Sequence, residues 1–368
     1  MKWSSKRILI ALLCLTYSFT VEAEIDADAQ EMTKDLSRSF AVNETSKIEV
    51  ENKYGDIFID TWNKDSVRFE IEIVAYSEKE EHLESLIDMV DIEFNDYSSF
   101  ILVETKIGED RNILDKAAFS FSKNISGTRE VRVNYRIFIP PNVKLSIENN
   151  FGDVFIDEYN GEFSLDIAHG DFRANLLSDM KVVKSKYGEV KIDEATGGRF
   201  EFSFVKGAEL GSLKDVFIKS SSSEIDIEYI NELRVESRLD EIYIDNLDQV
   251  SGKTNMTKLH IKSLALGAEL TSKYGNVRVD DLMPTAERVR MDGSNTDYSL
   301  GFTAETKGTF DLQMSTSKEF STDQTRVNIS DTYVVDDKTN QYTGTINSKS
   351  GSLRLLLTTK NGEISMGR

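Results

Sequence analysis

The 368-residue sequence holds few groups able to do chemistry. Its three histidines, His82, His169 and His260, are isolated, and none has a nucleophile or second base at a catalytic spacing. An isolated histidine is an ordinary surface or corner residue unless a neighbour tunes it. Ser220, Ser221, Ser222 and Ser223 form a hydroxyl run with no paired base, which reads as a turn. The glycines never cluster ahead of a helix, so nucleotide binding has no support. Carboxylates, by contrast, recur at fixed intervals: Asp60, Asp157, Asp193, Glu228, Asp245 and Asp280 in one set, and Asp56, Asp153, Asp171, Glu189, Glu224 and Glu241 in another. Stacked ~5 Å apart they would repel, and an oxygen-seeking divalent cation such as Ca2+ would relieve the repulsion. Asp157, Asp193, Asp245 and Asp280 are therefore the candidate cation ligands. The alternative is that these side chains cap backbone amides at corners. No catalytic residue and no other cofactor is expected.

What would position those carboxylates is a repeat. Asn52, Lys53, Tyr54, Gly55, Asp56, Ile57, Phe58, Ile59, Asp60 returns as Asn149, Asn150, Phe151, Gly152, Asp153, Val154, Phe155, Ile156, Asp157, and again around Tyr187–Gly188 and Tyr274–Gly275. Weaker copies fill the interval, with the glycine position taken in turn by Gly152, Gly170, Gly188, Lys206, Ser223, Asp240, Thr257 and Gly275, always 17 or 18 residues apart. Alternating apolar residues such as Ile225, Ile227 and Ile242, Ile244 give strands, as do Phe200, Phe202 and Phe204 between two copies. Units this short leave no room for a crossover helix, so they stack directly as the coils of a parallel β-solenoid in an all-β protein. Gly55, Gly152, Gly170, Gly188 and Gly275 are expected at its corners with positive φ, preceded by corner aromatics. The residue type at Lys206 does not fit that role. The runner-up architecture is an antiparallel sandwich, which does not usually repeat one turn in fixed register.

The flanks divide the chain further. Residues 1–23 read as a signal peptide, with Lys2, Lys6 and Arg7, an apolar run from Ile8 to Leu15, and Val21, Glu22, Ala23 as the cleavage site. That run falls short of the ~20 residues needed to cross a bilayer, so the mature chain has no transmembrane segment, and the single cysteine, Cys14, leaves with the signal. Residues 24–45 read as a polar N-terminal segment. Residues 46–148 read as an N-terminal β region that opens on a repeat-like hairpin and carries a capping helix at about 78–90, boxed by Ser77 and Glu80. The repeat array spans 149–291, and 292–368 holds an irregular excursion followed by terminal repeats.

The net charge of −20 repels nucleic acid and anionic membranes. At its repeats the chain resembles the DUF4097 family of exported bacterial adhesin-like β-strand repeat proteins, through the asparagine/serine, lysine, aromatic, glycine, acidic, aliphatic pattern quoted above. Trp62, Asp65 and Val67 after the first copy, and Ile139, Pro140 before the second, belong to the same resemblance. It implies an exported protein of the periplasm or cell surface and carries no catalytic residues over. The expected function is a non-enzymatic cell-envelope module that binds an unidentified protein or glycan. The alternative is a carbohydrate-active solenoid enzyme, a polysaccharide lyase or hydrolase, whose chemistry needs a basic residue beside a metal.

Overall fold

A computed structural model describes residues 30–97, 99–108 and 129–367. The signal-peptide reading of residues 1–23 and Cys14 lie outside them. Within a typical coil, Ile225, Ile227, Ile230, Leu233 and Val235 are buried and the residues between them face out. The inward interval is two along each flat face and lengthens to three on either side of Ile230, where the strand bends over the wide rim. Successive coils pair in parallel with like above like: Ile225 beside Ile242, Ile230 beside Leu247, Leu233 beside Val250. The result is the expected all-β architecture, a parallel β-solenoid of about 9 turns, 73% strand. Each fully buried Ile, Leu or Val contributes about 1.5–3 kcal/mol, and one unbroken apolar core runs the length of the stack.

The tight corner is built differently from the sequence expectation. The left-handed residue is the aromatic and not the glycine: φ is 63° at Tyr54, 61° at Phe151, 57° at His169, 58° at Tyr187 and 52° at Tyr274. Gly55, Gly152, Gly170, Gly188 and Gly275 follow at ordinary φ. Their role is close approach, because a Cβ on Gly152 would stand 2.0 Å from the carbonyl oxygen of Gly55, and one on Gly170 1.9 Å from that of Gly152. Lys206 is not in the glycine column at all. Phe204 is the left-handed residue of its coil, so Val205 takes the column and Lys206 is an extra residue. Register confirms this, with Glu189 beside Gly207 and Ala208 beside Ile225.

Both flanks carry more strand than the sequence reading allowed. The expected polar segment contains the strand Gln30–Ala41, antiparallel to Ser66–Ser77, which in turn runs antiparallel to Arg129–Ile139. Lys47–Lys53 and Ile57–Thr61 are not a hairpin; each pairs in parallel with different partners on the two faces, and Tyr54 turns the corner between them. The helix Glu80–Ile87 buries Leu83, Leu86 and Ile87, but its capping box is absent: Ser77 ends a strand, its hydroxyl accepts from the Lys79 N–H at 3.2 Å, and Val90 starts the next strand. Arg288–Ser294, which begins inside the expected array, and Asp297–Phe302 carry the stack beyond residue 291, where an irregular excursion was expected. The strand Leu353–Lys360 then returns to sit in parallel between Arg288–Ser294 and Gly308–Ser315. No helix among the described residues is long and apolar enough to cross a membrane.

Candidate binding edge at the tight corner

The left-handed backbone throws the side chain of each corner residue outward, and stacking of coils aligns these side chains in a row. Tyr54, Phe151, His169, Tyr187 and Phe204 form five successive rungs, with ring centroids 5.2, 4.9, 4.8 and 5.2 Å apart and planes within 18° of parallel. The rings cover one another's faces and present their edges to solvent. The row continues through Ser222, Leu239, Met256 and Tyr274, and the last three are about half exposed. Sequence reading placed Tyr54, Phe151, Tyr187 and Tyr274 at corners. It missed His169, taken for an isolated histidine, and Phe204, whose spacing from Phe200 and Phe202 imitates a strand.

Behind the ladder runs a buried polar spine. The Asn149 amide donates to the carbonyls of Gly55 at 3.0 Å and Gly152 at 2.8 Å, and Asn52 donates to the Asn149 side-chain oxygen at 3.1 Å. Further along, Ser220, Ser237, Thr254 and Ser272 stack in register. Asp240, in the glycine column, is 1% exposed. Its carboxylate accepts from the Ser237 hydroxyl at 2.5 Å and from the N–H groups of Ser223 at 2.8 Å and Arg238 at 3.0 Å. Burial raises its pKa above the ordinary carboxylate value, against the pull of those hydrogen bonds.

In front of the ladder, the acidic set that begins with Asp56 and Asp153 fastens one coil to the next. Asp56 accepts from the Asp153 N–H, Asp153 from Asp171, and Asp171 from Glu189, each at 2.8 Å. In the other set Glu228 and Asp245 stand side by side on adjacent coils, but the candidate ligands Asp157, Asp193, Asp245 and Asp280 do not stack directly on one another. Asn175 lies between Asp157 and Asp193 in the stack, Gly211 between Asp193 and Glu228, and Lys262 between Asp245 and Asp280. Two coils separate Asp157 from Asp193, about 9.6 Å at the usual strand spacing. Asp157 takes an amide hydrogen bond from Asn175, and Asp245 pairs with Lys262 at 3.1 Å. Burial pushes the Asp280 carboxyl up, but Arg278 at 2.6 Å and His260 at 2.7 Å outweigh it and hold it below its ordinary value. Asp193 and Asp245 do share the wall of a depression of about 490 Å³ above Gly211, together with Glu209, Glu228 and Asp226, whose carboxyl is raised by burial. No group of three or more His, Cys, Asp or Glu placed to hold a metal ion occurs among the described residues.

No protein-family model matches the chain, and no curated protein is similar to it. Among solved structures it is similar to a candidate adhesin of Bacteroides fragilis, at 11% identity over 90% of this chain and 97% of that one, with a TM-score of 0.27. A candidate adhesin of Parabacteroides merdae matches at 11% identity over 72% and 95%, TM-score 0.31. A candidate lipid-binding protein of Parabacteroides distasonis matches at 10% over 91% and 97%, TM-score 0.30. Similarity at this level carries no argument about function, and the fold rests on the strand register described above.

Proposed function

We propose that this chain is an exported, non-enzymatic module of the cell envelope that binds a protein or glycan partner along its tight-corner edge. One observation carries the reading. A left-handed backbone costs a bulky residue about 1–3 kcal/mol, and asparagine fills the same position without that strain at Asn295 and Asn361. Five consecutive coils nevertheless place rings there, with Phe151, Tyr187 and Phe204 between 42% and 53% exposed. Ring stacking returns about 0.5–1.5 kcal/mol per pair, which offsets the strain and does not explain why the rings are left in water. A contiguous exposed apolar row is a contact surface.

The histidines and serines support binding over catalysis. His169 is held between two rings, His260 is engaged by Asp280, and the Ser220–Ser223 run belongs to the corner and its spine. The test is titration of the fluorescently labelled full chain with bacterial envelope fragments. Tyr187→Ser combined with Phe151→Ser should weaken binding at least tenfold while the circular dichroism spectrum stays that of wild type; unchanged binding would overturn the reading.

A further inference from the structure

The ladder stops at one place, and three irregularities meet there. Phe204 is the last of the five rings, the next corner residue is Ser222, and the one after it is Leu239. The coil of Phe204 carries the extra residue Lys206, and its acidic position is filled by Gly207, around which a Cβ would meet nothing within 4 Å. One rung is missing, and the space in front of it is open.

We propose that the gap above Ser222 is a subsite for a single neutral hexopyranose ring of a glycan, stacked on the outer face of Phe204 with Leu239 as the opposite wall. This rests on the binding-edge reading above and names the ligand class for one point along it. Phe204 and Leu239 are two coils apart, about 9.6 Å. The rungs themselves sit 4.8 to 5.2 Å apart, so one guest ring enters at the ladder's own spacing. Stacking of a sugar needs a ring face: the rings between the two ends cover one another, Tyr54 at the far end has the Lys53 ammonium 5.2 Å from its centroid, and the outer face of Phe204 opens on the gap. The remaining groups are polar: the Ser222 hydroxyl has no side-chain partner and the exposed Lys206 ammonium makes no ion pair among the described residues, and both can serve the hydroxyl groups of a sugar. An aromatic side chain of a protein partner would fill the same space and leave these two groups without partners. Glu189 and Glu224, in the coils on either side, disfavour an acidic sugar.

The experiment uses the full chain and soluble neutral hexasaccharides of glucose, mannose, galactose and N-acetylglucosamine, read by saturation-transfer NMR and calorimetry. At least one should bind saturably. Ser222→Phe supplies the missing rung with a residue that already adopts this conformation at Phe151 and Phe204, and it should lower affinity at least tenfold. Phe204→Ala removes the wall from the other side and should do the same. Absence of saturable binding to all four sugars overturns the proposal, as does binding that both variants leave unchanged. In either case the edge reading stands if Tyr187→Ser with Phe151→Ser still weakens envelope binding, and falls with it if that binding is also unchanged.

Discussion

Gly188 lies against the carbonyl of Gly170 so closely that a Cβ added to it would stand 1.9 Å from the oxygen. The backbone of one coil is thus the floor on which the next is laid. Gly188→Ala should therefore destabilise the protein by more than about 2 kcal/mol, since backbone must shift to admit the methyl group. Left-handed strain sits one residue earlier, so Met256→Gly, at φ 54° and half exposed, should stabilise by about 1 kcal/mol. Urea melts of both variants check this; a neutral Gly188→Ala would show that the coils are further apart.

Asn149 is the branch point of the buried amides at the start of the array. Asn149→Leu removes both donors to Gly55 and Gly152 and one of the acceptors of Asn52, whose amide keeps the Val133 carbonyl at 3.0 Å, so a loss of about 2–4 kcal/mol is expected from the buried carbonyls left unpaired. A loss below 1 kcal/mol by denaturant titration would mean that water replaces the amide.

Asp240 gives a pH signature. Its carboxyl is raised in the fold, so the folded state holds a proton that the unfolded chain has already released. Stability from this group is fully present below the unfolded value near ~3.9 and is lost as pH rises through the higher folded value. Asp240→Gly has the commonest residue of the column and nothing to titrate. The difference in melting temperature, wild type minus variant, should grow as pH is lowered from 7 toward 4; a flat difference would show that Asp240 titrates normally.

The separation of Asp157, Asp193, Asp245 and Asp280 bears on calcium. With an asparagine, a glycine or a lysine interposed, millimolar CaCl2 should raise the melting temperature no more than NaCl at equal ionic strength. An excess for calcium that disappears in Asp193→Asn with Asp245→Asn would restore the cation site, centred on the depression above Gly211.

The period of 17 to 18 residues was legible because the same corner recurs in the same register, which only stacked coils require. The place of Lys206 was not. Counting 188 to 206 to 223 gives steps of 18 and 17, and counting 188 to 205 to 223 gives 17 and 18, so the period alone cannot say which residue is extra. Phe204 was hidden for a related reason: alternation from Phe200 through Phe202 carries on into the corner, where the backbone turns it outward. The strand Gln30–Ala41 left no signal because it is an edge with little buried surface, and its alternation is that of an exposed segment. The ladder was half visible, since a histidine among tyrosines and phenylalanines reads as a titratable group before it reads as a ring.

The hydrogen bonds between coils all point along the axis of the stack. Tension applied between its two ends loads the interfaces in series, each carrying the whole force on one set of parallel-strand bonds, so the rod yields one coil at a time. Force applied across the axis, as by a partner dragged sideways from the ladder, is shared among all the coils it touches. A molecule built this way is weak as a tether and strong as a keel.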